Sequence, residues 1–233
     1  MSDAAETMPS SLGFLSLPSE LRNCIYELVL LHQLPVHPGV GYAYKREKIL
    51  TPGLLRANKA VHREASSLFY GENRFGFTNV RLKEVASFFE QIGSTNAAYI
   101  RHVYIDFPLL DRLEPGHVTF EESGLRPLAT IQSACTNLST LMTSLASTDV
   151  VECTLSRVKV LQVTTEAFQL ADTHFRAISS LREIIVEVDA DLLSEQTRRI
   201  MKSHGWTINT IDTREGDAFG FDNYDSDSDS TDH

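Results

Sequence analysis

The sequence predicts an α/β protein, α+β at its N-terminus, in which helices cover a largely parallel sheet. From residue 99 to residue 211, strand-like segments alternate with helix-like segments, which is typical of such a sheet. Before residue 99, two strong helix patterns flank a Pro/Gly-rich segment. We therefore expect a disordered lead at 1–12, a helical motif with one strand at 13–98, the sheet region at 99–211 and a disordered acidic tail at 212–233.

The first helix pattern runs from Pro18 to Leu31, with a first-turn proline and Glu20 near the positive end of the helix dipole. Apolar residues recur on one side at helical spacing, and we expect that stripe to be buried. We expect the opposite side to be solvated. The predicted buried stripe consists of Leu17, Leu21, Cys24, Ile25, Leu28 and Leu31, and the predicted solvated side includes Arg22 and Tyr26.

Residues 32–53 predict a loop or short hairpin, with one short strand around Val40–Tyr44. A second helix is expected over Leu54–Tyr70 and a strand over Asn73–Phe77, with Gly71 just past the helix end. A third helix follows. Its predicted range is Leu82–Ile92.

The second half predicts four strands and three helices. The strands are expected at 99–107, 157–164, 181–188 and 206–211, and the helices at 125–146, 168–179 and 192–204; residues 109–124 are expected to be a loop. Three segments share the L-x-x-L-x-L frame of leucine-rich repeats, starting at Ile100, Leu155 and Leu181. A compact sheet is favoured, and a degenerate leucine-rich-repeat-like sheet remains the alternative.

Composition indicates an intracellular protein, in the cytoplasm, the nucleus or both. No apolar run approaches the roughly 20 residues that span a bilayer, and the polar start lacks a secretory signal pattern. The scattered Cys24, Cys135 and Cys153 do not form a disulfide framework, and we expect buried or inert thiols.

The negative charge is concentrated in the tail. The net charge is −10, and seven acidic residues follow Arg214 with no basic residue, which leaves −10 + 7 = −3 on the rest of the chain. We therefore expect no nucleic-acid partner and no membrane partner. Ser226 lies among acidic residues and is a possible phosphorylation site, although a purely solubilising tail is the favoured interpretation.

Catalytic and cofactor motifs are not found in the sequence, so we expect no cofactor and a non-catalytic protein-interaction protein. An unrecognised enzyme is the least favoured alternative. The chain lacks a Gly-rich phosphate loop, G-x-S-x-G, H-E-x-x-H and paired C-x-x-C. His32 and His37 share a loop but fall short of the four ligands that zinc prefers. Asp106 and Asp189 follow predicted strands, where α/β enzymes often place acidic residues. This signal alone is weak, because an acidic residue at a solvated loop end gives the same pattern.

Two motifs resemble a known family. The segment Leu17-Pro18-Ser19-Glu20-Leu21 is similar to the opening of an F-box. The pair L-P-x-E-L-R-x-x-I-Y-E and L-L-R-x-N…F-Y-G-E-N, over residues 13–78, resembles a large family of uncharacterised fungal F-box-like proteins.

The resemblance implies an adaptor subunit of an SCF-type ubiquitin ligase. F-box helices of such proteins dock on a linker subunit, and the C-terminal domain holds the substrate. Carried over, the linker-facing residues would be Leu17, Pro18, Leu21, Ile25 and Leu28. The Pro/Gly-rich insert at 32–53 stands where an F-box has a short helical connection. The alternative is therefore that the same stripe packs under the second helix as internal core. We favour core use of this stripe over docking. The alternative function is an interaction or structural domain without a ligase link, in which the motif serves only as core.

Overall fold

The computed structural model describes residues 13–38 and 51–212, with the backbone alone at 51 and 52. The lead at 1–12, the predicted strand near Val40–Tyr44, the acidic tail from residue 213 and Ser226 lie outside the described residues. The helices are α1 Ser19–Leu30, α2 Thr51–Leu55, α3 Lys59–Glu72, α4 Leu82–Tyr99, α5 Glu122–Ala134, α6 Leu145–Val158, α7 Leu161–Arg176 and α8 Glu195–Ser203. The strands are β1 Arg74–Phe77, β2 His102–Ile105, β3 Leu110–Glu114, β4 His117–Phe120, β5 Thr140–Thr143, β6 Glu183–Asp189 and β7 Thr207–Ile211.

Five strands form one parallel sheet in the order β1-β2-β5-β6-β7, and β3 pairs with β4 as an antiparallel hairpin. This confirms the predicted α/β class with a helix-covered, largely parallel sheet. Each strand lies beside the next one in the chain, apart from the hairpin. Right-handed crossovers that all advance in one direction place the connecting helices on the same face of a sheet.

The two faces of the sheet differ in burial, as this topology requires. Val103, Leu141 and Val186 point to the helix-covered face and are buried. Their neighbours Tyr104 and Glu187 lie on the other face and are only partly buried. Behind the helix-covered face, an aromatic cluster contains Phe107, Phe120, Phe168, Phe175 and Trp206, with ring centroids 5.7–6.3 Å apart.

The predicted helix Leu54–Tyr70 is divided in two at Asn58. The Asn58 side chain accepts hydrogen bonds from the backbone N–H groups of Ala60 and Val61, at 2.9 and 3.0 Å, and so caps the start of α3. The end of the helix also differs from the prediction. Gly71 lies inside α3 rather than beyond it, and it is buried. A Cβ added at this position would lie 3.6 Å from the Tyr99 carbonyl oxygen.

Three predictions in the second half are wrong. Residues 109–124 contain the β3–β4 hairpin rather than only a loop, and the predicted helix 125–146 ends at Ala134 and is followed by strand β5. The predicted strand 157–164 is helical, since α6 and α7 meet there at Lys159, whose φ is 53°. The frame at Leu155 is therefore not a strand repeat. The place between β2 and β6 in the sheet is instead taken by β5, which begins two residues after the fully buried Leu138.

Helix α4 extends beyond its predicted end at Ile92. Gly93 has φ 76° and ψ 164°, which breaks the helical path, and the helix resumes to Tyr99. A positive φ is cheap for glycine because it has no Cβ. No helix in the described ranges is both long and apolar enough to cross a membrane.

Candidate protein-docking surface

The prediction that the apolar stripe of α1 is buried is wrong. Leu21, Ile25 and Leu28 are 52, 37 and 85% exposed, and Cys24 is exposed as well. Tyr26 and Leu30, in contrast, are fully buried. The helix is thus rotated relative to the prediction, with its apolar stripe facing solvent and the side that carries Arg22, Tyr26 and Leu30 facing the core.

An ion pair with α3 explains the orientation of α1. The Arg22 guanidinium donates to both Glu64 carboxylate oxygens, Nε to Oε2 at 2.9 Å and one terminal nitrogen to Oε1 at 2.7 Å. The Tyr26 hydroxyl donates to Glu64 Oε2 at 3.1 Å, and a second Arg22 nitrogen donates to the Leu17 carbonyl at 2.6 Å. A two-pronged arginine–carboxylate contact fixes direction as well as distance. We call Arg22, Tyr26 and Glu64 the α1–α3 joint.

A buried asparagine fastens the other end of α1. Asn73 is 1% exposed and follows directly after α3. Its amide nitrogen donates to the carbonyls of Leu30 and Phe69 at 2.8 and 2.9 Å, while its side-chain oxygen accepts from the His32 N–H at 2.8 Å. The end of α1, the end of α3 and the start of β1 are therefore held by one side chain.

The exposed apolar surface is concentrated near α1. Twelve large apolar side chains are exposed among the described residues, and seven of them fall between Leu15 and Leu34. Scattered exposed apolar residues are ordinary, but a contiguous group of them is typical of an interaction site. We define the α1 surface as the outward-facing Leu21, Cys24, Ile25 and Leu28.

The other two residues predicted to face a linker lie just before α1. Pro18 is exposed and directly precedes the helix, whereas Leu17 is half-buried and its carbonyl accepts from Arg22. Leu17 and Pro18 therefore border the α1 surface. Of the three residues that lie within α1, Leu21 and Leu28 are more than half exposed.

The three cysteines divide into two accessible thiols and one inaccessible thiol. Cys24 and Cys153 are exposed, so the expectation of a buried thiol is wrong for Cys24. Cys135 is 1% exposed, and burial raises its pKa to about 12, which makes it a poor nucleophile at neutral pH. Cys24 in the α1 surface and Cys153 on α6 are therefore two sites for chemical labelling.

The polar residues at the sheet edge serve as structural ties. Asp106 follows β2 as predicted, accepts from the Ser144 hydroxyl at 2.8 Å and from the Asn79 N–H at 2.7 Å, and so joins the ends of three strands. Asp189 ends β6 and is buried, rather than lying at a solvated loop end. His37 packs over Gly76, apart from any zinc-like cluster, since the described residues contain no group of three or more potential metal ligands.

Comparisons with family models, curated proteins and solved structures found no match to this chain.

The α1–α3 joint is expected to weaken in acid. Hydrogen bonding to Arg22 and Tyr26 lowers the pKa of Glu64 below its ordinary value of 4.5. A carboxyl with a lowered pKa in the folded state stabilises the fold above its ordinary pKa, and this contribution disappears as the pH falls through the lowered value. We therefore expect the thermal midpoints of the wild type and Glu64→Gln to differ at pH 7 and to converge on acidification below pH 4.5. A constant difference down to pH 3 would contradict this assignment.

Proposed function

We propose that this chain is a non-catalytic protein-interaction subunit, and that its α1 surface docks on the linker subunit of an SCF-type ubiquitin ligase. The observation that carries the proposal is the exposure of Leu21, Ile25 and Leu28 on one side of a helix whose opposite side is fixed to the core. In this role, the sheet region presents the substrate-binding part of the adaptor.

Burial of the α1 surface supplies a driving force for association. Burying a leucine or isoleucine side chain stabilises by roughly 1.5–3 kcal/mol, so three such side chains provide several kcal/mol before the costs of association. Beyond residue 34, the exposed large apolar residues of the described chain, such as Leu109 and Leu192, are spread over other parts of the sequence. The α1 surface is therefore the largest local concentration of this driving force.

The α1–α3 joint and Asn73 also reduce the cost of binding. Both contacts fix α1 to α3 in the free chain, so the partner does not have to order the helix. A helix that is fixed before association loses less conformational freedom when a partner binds. Rigid presentation of an apolar helix side is what a docking role requires.

The test is complex formation between the purified full chain and the purified linker subunit, measured by size-exclusion chromatography and titration calorimetry. We expect saturable binding with one-to-one stoichiometry. Absence of complex formation by a folded chain would reject the linker proposal, and it would favour an interaction domain without a ligase link.

Thiol footprinting identifies the surface in the same experiment. Iodoacetamide should modify Cys24 and Cys153 in the free chain and spare the buried Cys135. Addition of the linker should slow the modification of Cys24 and leave Cys153 unchanged. Equal protection of both thiols, or protection of Cys153 alone, would show that a different surface binds.

A further inference from the structure

A cavity separate from the α1 surface lies between α3 and the kink of α4. Its volume is about 450 Å³, within the 300–1,000 Å³ range typical of ligand pockets. The break at Gly93 opens it, since no atom of the described ranges lies within 4 Å of the position that a Cβ would occupy there. The polar side chains that line it are His62, Arg63, Ser66, Ser94, Thr95, Asn96 and Tyr99.

Ser66 is a buried hydroxyl without a partner. The residue is 2% exposed and lines this cavity, and its Oγ makes no hydrogen bond to any residue that the structure describes. A serine inside a helix usually donates to a carbonyl one turn earlier, and the adjacent Ser67 does so, to the Glu64 carbonyl at 2.9 Å. A buried polar group without a partner destabilises a fold, so an orphaned hydroxyl beside a cavity indicates a missing acceptor.

The charges around the cavity indicate that the missing acceptor is negatively charged. Arg63 is exposed at the cavity and has no hydrogen-bond or ion-pair partner among the described residues. His62 Nδ1 lies 2.7 Å from the Leu55 carbonyl, which can only accept, so Nδ1 carries a proton. Among the described residues, none that lines the cavity is a carboxylate, although the chain as a whole has a net charge of −10.

We propose that this cavity binds a phosphate monoester group. Arg63 offers paired N–H donors that match phosphate oxygens, and Ser66 gains the acceptor that it lacks. The three terminal oxygens of a phosphate can accept from several of the surrounding hydroxyl groups at once. The site involves none of the residues of the α1 surface, so this inference is independent of the proposed function.

The experiment is titration calorimetry of the full chain with inorganic phosphate, with N-acetyl-phosphoserine amide and with a seven-residue peptide that carries one phosphoserine. The unphosphorylated amide and peptide are controls. We expect saturable binding of the phosphorylated probes only. Tighter binding of the peptide than of the amide assigns the group to a phosphorylated protein chain, and equal binding assigns it to a small molecule.

Two variants test the assigned residues against matched controls. Arg63→Gln should weaken binding at least tenfold, whereas Lys83→Gln, which removes an exposed cation of α4 outside the cavity, should not. Ser66→Ala should weaken binding and raise the thermal midpoint of the free chain, because it removes an orphaned hydroxyl. Ser67→Ala should leave binding unchanged. Absence of saturable binding, or equal binding by the wild type and Arg63→Gln, would overturn the proposal.

Discussion

Leu21→Asp and Leu28→Lys are each expected to weaken linker binding at least tenfold while the chain remains folded. Both side chains are more than half exposed in the free chain, so a charged replacement removes little internal packing. At a buried interface, each substitution loses roughly 1.5–3 kcal/mol of apolar burial, and 1.4 kcal/mol already corresponds to a factor of ten. The introduced charge must also be desolvated when the complex forms.

The choice of charges separates docking from helix stability. Asp at position 21 lies near the positive end of the α1 dipole, and Lys at position 28 lies in its last turn, so each charge suits its end of the helix. Because the two charges have opposite signs, simple attraction or repulsion by the linker cannot account for two losses. The measurements are the dissociation constant from calorimetry and the thermal midpoint of each free variant.

The matched control is Leu192→Asp. Leu192 is 57% exposed and precedes α8, far along the chain from α1. This variant should bind the linker like the wild type. Unfolding of Leu21→Asp or Leu28→Lys would contradict the exposed orientation of α1, and unchanged linker binding by both variants would remove the α1 surface from the interface.

The periodicity of α1 could be predicted from the sequence, but its rotation could not. Alternation at helical spacing identifies an apolar side, and burial of that side is the ordinary outcome. Here Glu64, 42 residues after Arg22, selects the opposite side through an ion pair and a hydrogen bond to Tyr26. Tyr26 can be buried because its ring is apolar and its hydroxyl has an acceptor, a pairing that no local pattern reveals.

The strands show a similar limit. β2 and β6 alternate apolar and polar residues and are predicted correctly, because one side of each faces the helices. β5 ends in the buried Thr143, whose hydroxyl pairs with Thr148, so its last inward position looks polar in the sequence. The false frame at Leu155 arose because Leu155 and Val158 have helical spacing within α6, while Val160, which completes the frame, lies in the connection to α7.

Each candidate site was also predictable only in part, or not at all, from the sequence. The motif residues Leu21, Ile25 and Leu28 could be named from the sequence, although their exposure could not. The cavity beside Gly93 could not be predicted, because it lies between α3 and a kink of α4 at a position where the sequence pattern indicates only a helix end. The glycine itself was the available signal, since a positive φ such as that of Gly93 is cheap only for a residue without a Cβ.

Asn73→Ala is expected to lower the free energy of unfolding by about 2–5 kcal/mol. The substitution leaves the carbonyls of Leu30 and Phe69 and the N–H of His32 without their side-chain partner. Each buried backbone group that loses its partner costs roughly 1–3 kcal/mol, reduced where the backbone relaxes or water enters. The measurement is chemical denaturation of the full chain at neutral pH.

Asn58→Ala is the matched control, since it removes the same side chain from the exposed start of α3. Asn58 also accepts two backbone hydrogen bonds, but loss of such a cap costs only about 0.5–2 kcal/mol because water replaces it. Asn73→Asp keeps the acceptor for His32 but cannot donate when ionised, so it should be nearly as destabilising as Asn73→Ala at neutral pH and recover in part in acid. Since Asn73 also fixes the end of α1, Asn73→Ala should weaken linker binding although Asn73 is too buried to touch the linker. A cost no larger than that of Asn58→Ala would show that α1 is held without this side chain.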